Sequence, residues 1–173
     1  MNAQRPGSSR PAPSAVAYAV EQVGEEALAD LARMRLAWSA GQGLAASADF
    51  AERMRRWWDQ QSGHRVAWVA RARTRTGDGD GDGDAVGMAN AAVFERMPRP
   101  GTPPSRWAYL ANVWVDPLHR RRGVGGLLLG NIVTWARAEG MVRVVLAPSE
   151  VSLPLYRGLG FRDAGDRLLR LDL

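Results

Sequence analysis

From Val115 to Gly126 the chain reads Val-Asp-Pro-Leu-His-Arg-Arg-Arg-Gly-Val-Gly-Gly, a basic, glycine-rich turn set between an apolar strand and a helix. Such a junction can hold phosphate. The first four N–H groups of a helix have no partner within it, and they lie at the positive end of its dipole. Gly123, Gly125 and Gly126 carry no side chain to keep an anion away from these groups, and Arg120, Arg121 and Arg122 favour the same negative charge. The strand leading in is expected over Tyr109 to Val115. The helix leading out is expected over Val124 to Ala138, where Val124, Leu127, Leu128, Ile132 and Trp135 recur at helical spacing.

Chemistry excludes two familiar phosphate motifs. A nucleotide-hydrolase loop needs a lysine on the phosphates, and all 23 basic residues of the chain, histidine aside, are arginine. A dinucleotide fold needs a third glycine where Leu128 stands, and an acidic residue after the next strand, where the chain runs from Met141 to Pro148. Without lysine there is no Schiff-base enzyme. Without cysteine there is no thiol catalysis and no cysteine-ligated zinc.

The turn resembles the signature of the GNAT (GCN5-related N-acetyltransferase) superfamily, R/Q-x-x-G-x-G/A, through Arg120, Gly123 and Gly125, with Val115 and Pro117 matching the preceding V-x-P. A second stretch, Leu155-Tyr156-Arg157-Gly158-Leu159-Gly160-Phe161, is similar to the family's L-Y-x-x-x-G-F. It follows an expected strand, Val142 to Leu146, and the turn Ala147-Pro148-Ser149. The two motifs stand in the family's order and at its spacing.

The resemblance implies an α/β fold: a central mixed sheet flanked by helices, in which Tyr109 to Val115 and Val142 to Leu146 are parallel strands that splay apart around acetyl-CoA. It further implies that backbone groups of Val113, Trp114 and Val115 pair with the pantetheine arm. The turn from Arg120 through Arg121, Arg122, Gly123, Val124 and Gly125 to Gly126 would cradle the pyrophosphate, with Ser149 where many members carry asparagine. Tyr156 takes the position of the residue that protonates the departing thiolate. Tyr109 stands where some relatives have a glutamate base, so the base is left among Glu95, Glu150 and water. No metal is implied. The reading is an acetyl-CoA-dependent N-acetyltransferase in which a primary amine, on a small molecule or a protein terminus, attacks the thioester directly. The alternatives are a non-catalytic acyl-CoA-binding or sensor module on the same scaffold and a basic nucleic-acid-associated protein. The arginines are scattered along the sequence rather than striped, which disfavours nucleic acid.

At 173 residues and 46% hydrophobic, the chain suits one domain over 15–173 after a disordered tail over 1–14. It has no apolar run of the roughly 20 residues that span a bilayer, and no signal peptide, so a cytoplasmic protein is expected; a homodimer is compatible with these features. The first strand is expected over 15–20. A first helix follows, with Glu25 and Glu26 in its first turn, Leu31, Met34 and Trp38 on one side, and Gly41 to Gly43 ending it. A second starts near Ser47 or Asp49 and carries Phe50, Met54, Trp57 and Trp58 on one face. The resemblance implies an acceptor pocket made by these two helices, their connection and the loop before the last hairpin, which supply Trp38, Trp57, Trp58 and several arginines; the tryptophans at helical spacing read as core rather than cage, and arginine would suit an acceptor bearing a carboxylate. Strands over 66–75 and 86–94 flank a flexible loop, Gly77 to Asp84. Its Gly-Asp repeat is a tolerated insertion rather than an EF-hand, because the twelfth position from Asp78 is Ala89 and not glutamate. Phe161 to Ala164 and Arg167 to Leu173 form a closing hairpin turned at Gly165-Asp166.

Overall fold

The computed structural model describes residues 16–74 and 83–165. Strands β1 (Val16–Val23), β2 (Arg65–Thr74), β3 (Asp84–Glu95), β4 (Arg106–Val115) and β5 (Val144–Val145) form one sheet in that order, antiparallel except for the parallel pair β4–β5. Helices α1 (Leu28–Ala40) and α2 (Phe50–Gln61) precede β2, α3 (Val124–Ala138) joins β4 to β5, and α4 (Leu153–Gly158) follows β5.

Side-chain alternation along the strands explains why both faces are covered. On β2, Trp68 and Ala70 point to one face and Ala67 and Val69 to the other. The first face meets Val124, Leu128, Leu129 and Ile132 of α3 and Tyr156 of α4. The second meets Leu28, Leu31 and Met34 of α1 and Trp58 of α2. The alanines at the contact (Ala70, Ala89, Ala91, Ala108) let α3 approach the sheet closely, and Leu128, Leu129 and Ile132 are fully buried there.

Several boundaries differ from expectation. β1 runs to Val23, beyond residue 20, because its whole length pairs with β2 from Val16↔Thr74 to Val23↔Ala67. Glu25 and Glu26 sit in a 3₁₀ turn ahead of α1, with Glu26 Oε1 accepting from the Gly24 N–H. β4 starts at Arg106 rather than Tyr109. The strand expected over Val142 to Leu146 reduces to Val144–Val145, although the Val142 N–H donates to the Arg106 carbonyl and the Ala108 N–H to the Arg143 carbonyl. Phe161 to Ala164 forms no strand; the second arm of the expected hairpin, 167–173, lies outside the described residues, as do the 1–14 tail and positions 77–82 of the Gly-Asp loop. Asp84, placed in that loop by the sequence, begins β3. No helix among the described residues is long and apolar enough to cross a membrane.

Candidate active site

The register of β3 with β4 slips in mid-strand. Asn90 pairs with Ala111 and Met88 with Trp114, so β4 spends three steps where β3 spends two. The extra residue is a β-bulge, and Asn112 carries it in the left-handed region at φ 55°. The bulge reverses which residues face α3: before it Ala108 and Leu110 do, after it Val113 and Val115. Trp114 turns into the α1–α2 layer and is buried there. On the other edge of β4, pairing with β5 covers only Ala108 and Tyr109. From Leu110 to Val115 that edge has no strand neighbour among the described residues, which leaves a gap with backbone groups of Val113, Trp114 and Val115 along its wall.

Asparagine tolerates φ above zero and β-branched residues do not. Asn112→Val is therefore expected to lower stability by about 1–2 kcal/mol, while Asn112→Gly stays close to wild type. Urea midpoints of the two variants check this.

The turn into α3 continues from the gap. Asp116 Oδ1 accepts from the Leu118 N–H at 2.8 Å, and the Arg120 Nε donates to the Val115 carbonyl at 2.9 Å, fastening the turn to the end of β4. His119 Nδ1 lies 3.0 Å from the Tyr18 hydroxyl, tying the turn to β1. Arg121 and Gly123 both adopt left-handed backbone, at φ 60° and 83°, which turns successive amides to one side. The Leu127 N–H makes the first helical bond, to the Gly123 carbonyl at 3.0 Å. The amides of Arg121, Arg122, Gly123, Val124, Gly125 and Gly126 have no acceptor among the described residues. A Cβ on Gly126 would meet nothing within 4 Å, and one on Gly125 only Leu155 Cδ2 at 3.2 Å. These are the conditions an anion needs. Of the three arginines, Arg120 thus has a structural job, which the signature alone does not reveal.

Tyr156 is packed into the α3-side core beside Val124, its ring edge-on to Phe161 with centroids 5.7 Å apart. Its hydroxyl makes no hydrogen bond with the described residues, yet it is not among the sealed polar atoms. Burial pushes the phenol above its usual 10, so it holds its proton at neutral pH. Ser149 organises the start of the α4 segment: its carbonyl accepts from the amides of Ser152 and Leu153, and its hydroxyl lies 2.9 Å from that of Ser152.

On the α1–α2 side of the bulge lies a cavity of about 700 Å³, with Ala111, Asn112, Asn90 and Tyr109 at its floor and Leu31, Met54, Trp57 and Trp58 above. Trp57 and Trp58 border it. Trp38 does not; it is covered by the Arg35 guanidinium, 4.6 Å from its ring centroid. Glu95 is excluded from this site, since it pairs with Arg106 at the opposite end of β4 from the bulge. Glu150 is exposed next to Ser149. Among the described residues no group of three His, Cys, Asp or Glu is placed to hold a metal ion.

The acetyltransferase (GNAT) family model matches residues 32–161, which run from within α1 through the bulged β4 and the amide-lined turn to Tyr156 and Phe161. The chain belongs to the GNAT family. Among solved structures, this GNAT-family chain is similar to an acetyltransferase with acetyl-CoA from Clostridium acetobutylicum (TM-score 0.68, 19% identity, 90% of this chain and 96% of that one). It is also similar to an aminoglycoside N-acetyltransferase in complex with CoA (TM-score 0.66, 19% identity, 94% of this chain and 99% of that one). In sequence it matches a glucosamine 6-phosphate N-acetyltransferase of Trypanosoma brucei brucei at 43% identity over 65 residues, 38% of this chain and 44% of that protein. The GNAT chain thus aligns with less than half the length of the curated relatives it matches.

Proposed function

We propose that the protein transfers the acetyl group of acetyl-CoA to a primary amine, on a small molecule or a protein terminus, by direct attack of the amine on the thioester. The observation that carries this reading is the β4 bulge, which borders two unlike spaces. One is the amide-lined gap, suited to the coenzyme. The other is the 700 Å³ cavity, suited to an acceptor. Acetyl-CoA supplies an activated acyl group with a thiol as its leaving group. The residues assigned to it are the backbone of Val113, Trp114 and Val115 along the arm and the amides of Arg121 to Gly126 at the pyrophosphate, with Arg121 and Arg122 adding charge. Arg120 and Ser149 shape the turns on either side.

Tyr156 is assigned as the acid that gives its proton to the departing sulfur. Among the described residues no Asp or Glu borders the cavity, and the reading has the acceptor nitrogen shed its proton to water or arrive neutral, with Glu150, exposed next to Ser149, as the remaining side-chain candidate. The positive groups around the cavity help, because neighbouring cations disfavour the ammonium form. The pH dependence follows. The turnover number is expected to rise with pH as the acceptor deprotonates, and no fall belonging to Tyr156 is expected below its ordinary value of 10, since burial moves that group upward. A pH–rate profile of thiol release from acetyl-CoA with a panel of amines tests both statements. Coenzyme binding with no thiol release for any amine would favour a non-catalytic acyl-CoA-binding module instead.

A further inference from the structure

Among the described residues, the charged groups bordering the cavity are all of one sign: Arg35 from α1, Arg53 and Arg56 from α2, and Arg65 from the start of β2. No carboxylate among the described residues borders it. Of the four, Arg56 alone has a carboxylate within 4.0 Å among the described residues, Glu52 of its own helix at 3.8 Å. Arg65 is the most firmly held. Its Nη1 donates to Asn90 Oδ1 at 3.0 Å, its guanidinium lies 5.2 Å from the centre of the Trp57 ring, and its Nε points at Gln61 Oε1 at 3.5 Å. Asn90 is nearly buried and pairs with Ala111, the residue before the bulge. A planar fork of donors is therefore fixed beside the centre of the site by neutral partners only. Among the described residues its charge has no anionic partner. A guanidinium held in this way matches a carboxylate or phosphate, which would accept two parallel hydrogen bonds from it.

We infer that the acceptor is a small molecule carrying an anionic group, phosphate or carboxylate, on the same skeleton as its amine, and that Arg65 holds that group while the amine faces the Asn112 bulge. This rests on the acetyl-transfer reading above. The cavity volume suits a molecule of the size of a sugar phosphate or an amino acid. Four like charges work against a polycationic acceptor, whose additional ammonium groups would meet no carboxylate among the described residues.

The test uses matched pairs: glucosamine 6-phosphate against glucosamine, glutamate against glutamine, with spermidine as the polycation and a peptide with an acidic N-terminal segment as the macromolecular case. Thiol release from acetyl-CoA is measured, and in parallel calorimetric binding of each probe in the presence of CoA, which does not depend on turnover. The charged member of at least one pair is expected to show a kcat/KM at least tenfold above its counterpart, and the two pairs separate phosphate from carboxylate. Arg65→Gln is expected to raise the KM of the charged member at least tenfold with a much smaller change in kcat, and Arg65→Lys to restore part of it. Arg53→Gln, on the exposed side of α2, should act in the same direction and covers the case that Arg65 variants fold poorly. Equal use of charged and neutral members, preference for spermidine, turnover of the acidic peptide alone, or a preference that survives Arg65→Gln would each overturn the inference. Arg65-dependent binding of a charged probe without any thiol release would keep it and remove acetyl transfer instead.

Discussion

Replacing Gly125 by glutamate is expected to abolish coenzyme A binding while leaving the fold intact. The helix itself gains, because a carboxylate in the first turn sits at the positive end of the dipole and can bond the unpaired amides. That gain is the reason binding fails: the protein supplies its own anion to the six amides of Arg121 to Gly126, which make no other bond among the described residues. Losing two charge-assisted hydrogen bonds costs about 3–6 kcal/mol, on the order of 10²-fold or more in affinity before repulsion is counted. The added Cβ meets only Leu155 Cδ2 at 3.2 Å, and Leu155 is 40% exposed and free to shift. Gly125→Ala is therefore expected to bind within a few-fold of wild type, which separates bulk from charge. Calorimetric titration of both variants with acetyl-CoA decides the matter, and an undiminished affinity in Gly125→Glu would remove the turn from the coenzyme site.

Tyr156→Phe is expected to lower kcat by at least tenfold, with coenzyme Kd unchanged within a few-fold. The ring stays in place against Phe161 and the α3-side core, and the lost hydroxyl leaves no orphaned partner among the described residues, so the melting temperature should hold or rise slightly. What disappears is a proton donor at the leaving group, commonly worth about 10²–10⁴-fold. A smaller steady-state loss would place product release in the rate-limiting position, which single-turnover measurement detects. Identical single-turnover rates for the variant and wild type would reduce Tyr156 to a packing residue.

Both variants act on parts that were readable from residue order. The junction from β4 through the arginines and glycines into α3 is local in sequence, and its residue types suit the backbone it adopts: Gly123 does stand at positive φ, and the helix does run from Val124 to Ala138. The bulge left only a faint trace. In Ala108-Tyr-Leu-Ala-Asn-Val-Trp-Val115 the inward positions change parity at Asn112, which a strict two-residue alternation passes over. Arginines at the acceptor pocket were expected, but which ones gather there was not legible, for a different reason. Arg35, Arg53, Arg56 and Arg65 look scattered along the chain, and only the packing of α1 and α2 over the start of β2 gathers them around one space. Glu95 illustrates the converse, a residue near a strand end whose distance from the site depends on pairing direction.

The slender β5, two residues long and paired among the described residues at Ala108 and Tyr109 alone, bears on how long the protein is expected to last. A sheet that stops short along its inner edge leaves part of its cohesion to be supplied from outside, and a molecule that binds the native chain alone adds RT ln(1 + [L]/Kd), about 2.7 kcal/mol at a hundred times its Kd. Local opening should begin at this seam, where the fewest backbone bonds must break. On the proposed reading, the lifetime of the chain against proteases is expected to lengthen as the supply of acetyl-CoA rises.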